Sequence, residues 1–139
     1  MVQTVAVSDT SFVIALLNSN DDYHGAAVEH YRHWETLLLP QPTLTEIAYL
    51  LYREGGNFQV VKFLELLPSS TFELTELTQE TTLRTAEILG RYADTRIDFV
   101  DACVMAIAES HNIKTILTLD RRDFSIVRPS HCEGFTLLP

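Results

Sequence analysis

Asp9, Glu46, Asp101 and Asp120 are four carboxylates from distant parts of the chain, each falling where a short apolar run gives way to a helix or where a helix begins. Gathered in one place, such side chains repel one another unless protons or cations neutralise them. A hard divalent metal is the simplest resolution. With carboxylate oxygens as the donors, and no His or Cys joining them, the set suits Mg²⁺ or Mn²⁺ better than Zn²⁺. Ions of that kind act on phosphate oxygens. Four acids can hold one or two of them, activating a water and stabilising the leaving oxygen of an in-line phosphodiester displacement. Phosphodiester hydrolysis is the expected chemistry.

Whether the four acids meet depends on the elements that carry them. TVAVSD, with its β-branched residues, reads as a buried first strand ending at Asp9, and SFVIALLNSN as a short helix stopped by Asn and Asp. In YHGAAVEHYRHWE, Ala27, Tyr31 and Trp34 stand at helical spacing, and LLLP follows as a strand closed by Pro40. TLTEIAYLLYREGG reads as a helix with a glycine C-cap at Gly55 and Gly56. FQVVKFLELLP is another helix, ended by Pro68; STFEL is a strand; TQETTLRTAEILGRYAD is an amphipathic helix. Residues 98–111, DFVDACVMAIAESH, are apolar almost all round, as befits a helix buried between layers. KTILTLD and GFTLL complete the strands.

Strands alternating with helices predict the α/β class, a parallel sheet with helices on both faces and right-handed crossovers. There the carboxyl ends of the strands and the amino ends of the following helices share one edge, and ligands bind near the switch in strand order. Asp9 and Asp120 end strands, while Glu46 and Asp101 lie in first helical turns. All four are therefore expected on one rim.

Each acid alone has a plainer explanation. Thr43 and Glu46 form a T-x-x-E capping box, worth about 1 kcal/mol. Asp98 can cap the buried helix while Asp101 favours the positive end of its dipole. Asp9 can cap SFVIALL, and Asp120 can open a turn before RRDF. Capping accounts for each residue separately but not for acids at all four positions, where Ser, Thr or Asn would serve as well. The joint pattern favours metal. Ser11 and Thr118 are polar neighbours placed to orient a ligand or a water, with local turn or cap roles as the alternative. Asp123 either joins the cluster or faces solvent.

Composition narrows the rest. With 139 residues, 46% of them hydrophobic and 21% charged, the chain can bury about two thirds of its unfolded surface in one core, and residues 1–139 are expected to form one domain. MVQTVAVSDTSF lacks a basic start followed by an apolar run, and stretches such as FVIALL are too short to span a bilayer, so a cytoplasmic protein that does not enter membranes is expected. Cys103 and Cys132 provide neither a disulfide framework nor zinc-ligand spacing. His30 and His33 share a helical face without the acidic partner a zinc site would need. Gly55-Gly56 lacks the Lys and Ser/Thr of a phosphate loop, and Ser11 stands where a phosphoaspartyl phosphatase needs a second aspartate. The net charge of −9 argues against broad, charge-driven binding of nucleic acid.

Three stretches, VAVSDTSFVIALLN, PTLTEIAYLL and DFVDACVMAIAESHNIKTILTLDRRDF, resemble the PIN domains and, within them, the VapC-type ribonuclease toxins of bacterial toxin-antitoxin pairs. The resemblance covers nearly the whole chain. Its most specific part is the last stretch, an aspartate opening an Ala-rich helix, then a strand, then TxDxxF. It implies a three-layer α/β/α fold whose five-stranded parallel sheet runs in the order 3-2-1-4-5, and Mg²⁺- or Mn²⁺-dependent endonucleolytic cleavage of single-stranded RNA. Carried over residue by residue, it makes Asp9 and Asp101 direct metal ligands. Glu46 and Asp120 would act through bound water or a second ion. It further implies an RNA substrate, a small cognate antitoxin protein and a homodimer. Because the chain is acidic, a few cations must supply the local attraction for RNA, and Arg121, Arg122 and Arg96 are the candidates for phosphate contacts. Two other readings stay open. One is a housekeeping PIN nuclease without an antitoxin. The other is a PIN-like domain used only for partner binding, with Tyr49, Leu50, Tyr52 and Phe63 supplying the surface.

Overall fold

The computed structural model describes residues 3–139. Met1 and Val2, which open the stretch inspected for a leader, lie outside them. In chain order the elements are β1 (Gln3–Ser8), α1 (Thr10–Leu17), α2 (His24–Tyr31), β2 (Trp34–Pro40), α3 (Pro42–Gly55), α4 (Asn57–Leu66), β3 (Phe72–Thr75), α5 (Gln79–Arg91), α6 (Phe99–Ser110), β4 (Thr115–Leu117), α7 (Arg121–Ile126) and β5 (Thr136–Leu138). A single 3₁₀ turn, Leu67–Ser69, follows α4, where Pro68 can no longer donate to a helix.

All five strands are parallel and lie in the order β3-β2-β1-β4-β5. The chain winds outward from β1 through β2 to β3, then returns to the other side of β1 for β4 and β5. The switch in direction therefore falls between β1 and β4, where Ser8 pairs with Leu117. A crevice opens there because the crossovers on the two sides leave in opposite directions. Asp9 follows β1 and Thr118 follows β4, so both stand at that crevice.

Alternation along the strands sorts the core into two layers. Ala6, Leu37 and Leu39 face one side with Phe12 and Val13 of α1, Ala27 of α2, Ile47 of α3 and Phe63 of α4. Val7, Leu38 and Ile116 face the other with Ile88 of α5, Phe124 of α7 and the buried side chains of α6. Every residue from Ala102 to Ala108 is buried, as the all-round apolar pattern of this helix predicts. Small side chains at Ala102, Ala106 and Ala108 let α6 lie close against the sheet. Its outer end is pinned to α5 by a two-pronged contact, Arg84 Nε donating to Glu109 Oε1 at 2.6 Å and Arg84 Nη2 to Glu109 Oε2 at 3.0 Å. Among the described residues no helix is long and apolar enough to cross a membrane.

Two expectations need correction. Trp34 does not continue α2; it opens β2, paired with Gln3 and buried in the core. Its apolar side chain fits either period, and pairing with the central strand decides between them. Phe63 is not surface but core, because it and Leu67 form the inner face of the α4 region. The exposed apolar residues there are Phe58, Val61, Leu64 and Leu66.

Gly56 ends α3 at φ 71°, ψ −170°, a conformation nearly confined to glycine. Gly90 sits within α5 with open space where a Cβ would go. Gly56→Ala is expected to lower unfolding stability by about 1–3 kcal/mol, and Gly90→Ala to raise it by about 0.5–1 kcal/mol. Urea midpoints should move in opposite directions; a shared direction would contradict this account of the α3–α4 junction.

Candidate active site

Asp9 is the anchor. Only 4% exposed, it is the N-cap of α1, and its Oδ1 accepts from the Phe12 amide at 3.0 Å and from Ser11 Oγ at 2.8 Å. Oδ2 accepts from Thr118 Oγ1 at 2.5 Å. The two hydroxyls also knit the crevice together. Ser11 Oγ accepts from the Leu119 amide at 2.9 Å, and Thr118 Oγ1 from the Asp120 amide at 2.9 Å. Ser11 and Thr118 thus act as a pair, and Ser11 is more than a local turn hydroxyl. A carboxylate offers about four lone-pair sites, of which three are filled here. The remaining one, on Oδ2, is left for a ligand.

Burial pushes the Asp9 carboxyl up to about 6, against the three donors that pull it down and with the Asp120 charge adding to the rise. Asp101, in the first turn of α6, is raised further, to about 8. Burial leads, followed by the charge of Asp98, a hydrogen bond with Asp123 that needs a shared proton, and the charges of Asp9 and Asp123. Oxygens of Asp101, Asp120 and Asp123 lie within 4.8 Å of one another. Asp123, 9% exposed in the first turn of α7, faces this cluster and not solvent.

Glu46 reaches the site from α3, but not as expected. The helix begins at Pro42, which puts Glu46 a full turn in, and Gln41 at the cap position makes no side-chain cap bond. Thr43 Oγ1 donates to the Pro40 carbonyl at 2.7 Å, so no capping box forms. Glu46 Oε1 accepts instead from Thr10 Oγ1 at 2.6 Å. Asp98 is the cap of α6, accepting from the Asp101 amide at 2.9 Å.

Asp9, Glu46, Asp101 and Asp120 line one open cleft of about 550 Å³, together with Asp21, Asp98, Thr10, Ser11, Tyr49 and Arg53. Asp9 and Glu46 border the three-aspartate cluster without belonging to it. No His or Cys lines the cleft, so its donors are oxygens, and they suit a hard divalent cation. The raised Asp9 and Asp101 fit the same conclusion, since groups that resist ionising together are those a cation would relieve.

The cationic side chains are less well served by the sequence reading. Arg121 donates from Nη2 to the backbone oxygen of Pro139, and neither it nor Arg122 nor Arg96 lines the cleft. Arg53 does. It had no signal in a local motif, but it stands two helical turns along α3 from Glu46 on the same face, a spacing that would have found it. Thr10 was overlooked likewise, although it lies between Asp9 and Ser11.

Comparison with known proteins agrees with this architecture. The PIN domain family model matches residues 6–128, and the chain belongs to the PIN domain family. It is similar to Ribonuclease VapC26 of Mycobacterium tuberculosis, with 31% identity over 134 residues, 96% of this chain and 99% of that protein. Among solved structures it is similar to Mycobacterium tuberculosis VapC20, described as a sarcin-ricin loop cleaving toxin, with TM-score 0.79, 25% identity, and coverage of 94% of this chain and 99% of that one. A toxin-antitoxin complex from Klebsiella pneumoniae shares the fold, with TM-score 0.69, 20% identity, and coverage of 88% of this chain and 92% of that one.

Asp9 and Asp101 hold protons in the folded state that they lose in the unfolded chain above about pH 4. More protons bound in the folded state means that stability falls as pH rises, and the loss continues as the pH passes through about 6 for Asp9 and about 8 for Asp101. Without divalent ions, Tm is expected to drop by on the order of 5 °C between pH 6 and pH 8.5. Mn²⁺ should restore it more at the higher pH, and Asp101→Asn should flatten both effects. A Tm independent of pH and of Mn²⁺ over this window would rule out the cleft as a cation site.

Proposed function

We propose that this chain is a VapC-type endoribonuclease that hydrolyses RNA phosphodiester bonds with Mg²⁺ or Mn²⁺, and that it is the toxin of a type II toxin-antitoxin pair. The observation that carries this reading is the oxygen-only cleft at the sheet's switch point, in a chain 31% identical to a VapC ribonuclease over nearly its whole length. The reading takes residues 1–139 as one PIN-like domain, acting in the cytoplasm as a homodimer.

Asp9 and Asp101 would hold the cation, with Glu46, Asp120 and Asp123 completing the acidic surround. A bound divalent ion supplies Lewis acidity toward the phosphate oxygens and makes a water a competent nucleophile near neutral pH. Ser11 Oγ and Thr118 Oγ1 hold the Asp9 carboxylate in one orientation, so it does not reorganise during reaction. Thr10 Oγ1 fixes Glu46 through Oε1 and leaves Oε2 to accept a proton from water. Arg96, Arg121 and Arg122 remain candidates for phosphates farther along the strand.

An antitoxin partner belongs to the same reading. Beyond the groove that adjoins the cleft, α1, α4 and their neighbours form an apolar groove of about 360 Å³ lined by Leu16, Leu17, Leu51, Phe63 and Leu66. A protein of similar fold is found in a toxin-antitoxin complex from Klebsiella pneumoniae, and a groove of this kind suits the apolar face of a short segment.

Incubated with RNA and Mn²⁺, the native protein should cut at defined positions. Asp9→Asn and Asp101→Asn should each lose at least about 100-fold in rate, and Thr118→Val about 10–100-fold as an orienting partner. Equal cleavage by native protein and Asp101→Asn would remove the cleft from the reaction.

A further inference from the structure

Six acids line the cleft, Asp9, Asp21, Glu46, Asp98, Asp101 and Asp120, against one cationic side chain, Arg53. A polyanion that enters has nothing else of positive charge on the cleft walls to hold it. Arg53 also lines the adjoining groove with Ile14, Leu17 and Asn18, so it stands where the cleft meets that groove. Among the described residues it takes part in no salt bridge. One turn before it on α3 is Tyr49, which also lines the cleft yet is 63% exposed. Residues four apart on a helix stand side by side, with Cβ atoms about 6 Å apart. Glu46, Tyr49 and Arg53 therefore form one stripe along α3, running from beside the acidic cluster to the junction with the adjoining groove.

From this placement we propose that Tyr49 and Arg53 form a subsite for one unpaired nucleotide of the RNA, the phenol ring stacking on its base and the guanidinium holding its phosphate. The inference rests on the ribonuclease reading and adds to it where the strand lies and why it must be single. A base within a duplex has both faces covered by its neighbours, whereas a splayed base offers a face to an aromatic side chain. The guanidinium carries a fixed fork of donors that matches two phosphate oxygens. An exposed ring beside a charge fork gives one contact that tolerates any base and one that tolerates any sequence, as expected of a positioning subsite. Cleavage would then be confined to loops and ends where the nucleotide on α3 is free to leave its stack.

The test measures binding of a short single-stranded RNA in Ca²⁺, which replaces the active ion, and cleavage of the same RNA in Mn²⁺. Tyr49→Ala should weaken binding by about 10-fold and Tyr49→Phe should retain it. An abasic nucleotide walked along the RNA should reproduce that loss at one position in the native protein and add nothing in Tyr49→Ala. Arg53→Ala should reduce the slope of log affinity against log salt by about 0.7, the value for one phosphate on a single strand. If the native protein cuts RNA while Tyr49→Ala and Arg53→Ala bind and cut as it does, the subsite is wrong and the ribonuclease reading stands. If the native protein neither binds nor cuts RNA, both readings fall.

Discussion

The fold depends on accommodating the Asp9 carboxylate, nearly sealed from water, at the point where the sheet changes direction. A buried acid is costly unless donors reach it, and here they come from both sides of the crevice: Phe12 and Ser11 from α1, Thr118 from the end of β4. The same hydroxyls receive the Leu119 and Asp120 amides, so the loop that carries Asp120 is held by the groups that hold Asp9. The site and the junction of β1 with β4 are therefore one structure. A change that loosened Thr118 would disturb the acid and the backbone that positions its neighbour.

Around that anchor the chain concentrates charge it does not neutralise. Arg84 and Glu109 illustrate the usual treatment of a partly buried acid: burial pushes the carboxyl up, but the paired guanidinium and the Ser130 amide outweigh it and lower its pKa. The cleft does the opposite. Asp101 is partly buried and faces Asp98, Asp123 and Asp9, and burial first, then those acids, push its carboxyl up. Sites that work against folding persist where function needs them, and the all-apolar body of α6 behind Asp101 supplies compensating burial.

Much of this was legible in the sequence for a definite reason. Asp9, Asp101 and Asp120 sit at strand ends and helix starts, positions that topology alone carries to one rim. The residues that sequence left ambiguous depend on angles between elements. Asp123 turned inward because α7 packs Phe124 into the core, which brings the preceding residue toward Asp101. Glu46 was of the right type, but the capping box failed because Thr43 turned its hydroxyl back to Pro40. Arg121 was drawn to Pro139, a neighbour made only by the pairing of β4 with β5. Trp34 and Phe63 were misplaced because an apolar side chain satisfies several periods until its packing partners are known.

A net charge of −9 and an RNA substrate are compatible only if attraction is local. At physiological salt, exposed charges are screened beyond about 8 Å, so most of the chain's acids do not oppose an RNA strand at the cleft. What matters is the field within the cleft itself. There a cation would offset several carboxylates at once, and the Arg53 guanidinium would set the direction of approach. Long-range attraction is then weak, and binding should depend on the short reach of the site more than on the overall potential. Such a surface would discriminate against bulk nucleic acid and favour strands whose unpaired segment can enter. On the ribonuclease reading, selectivity for accessible RNA would follow from the acidic walls of the cleft more than from the net charge.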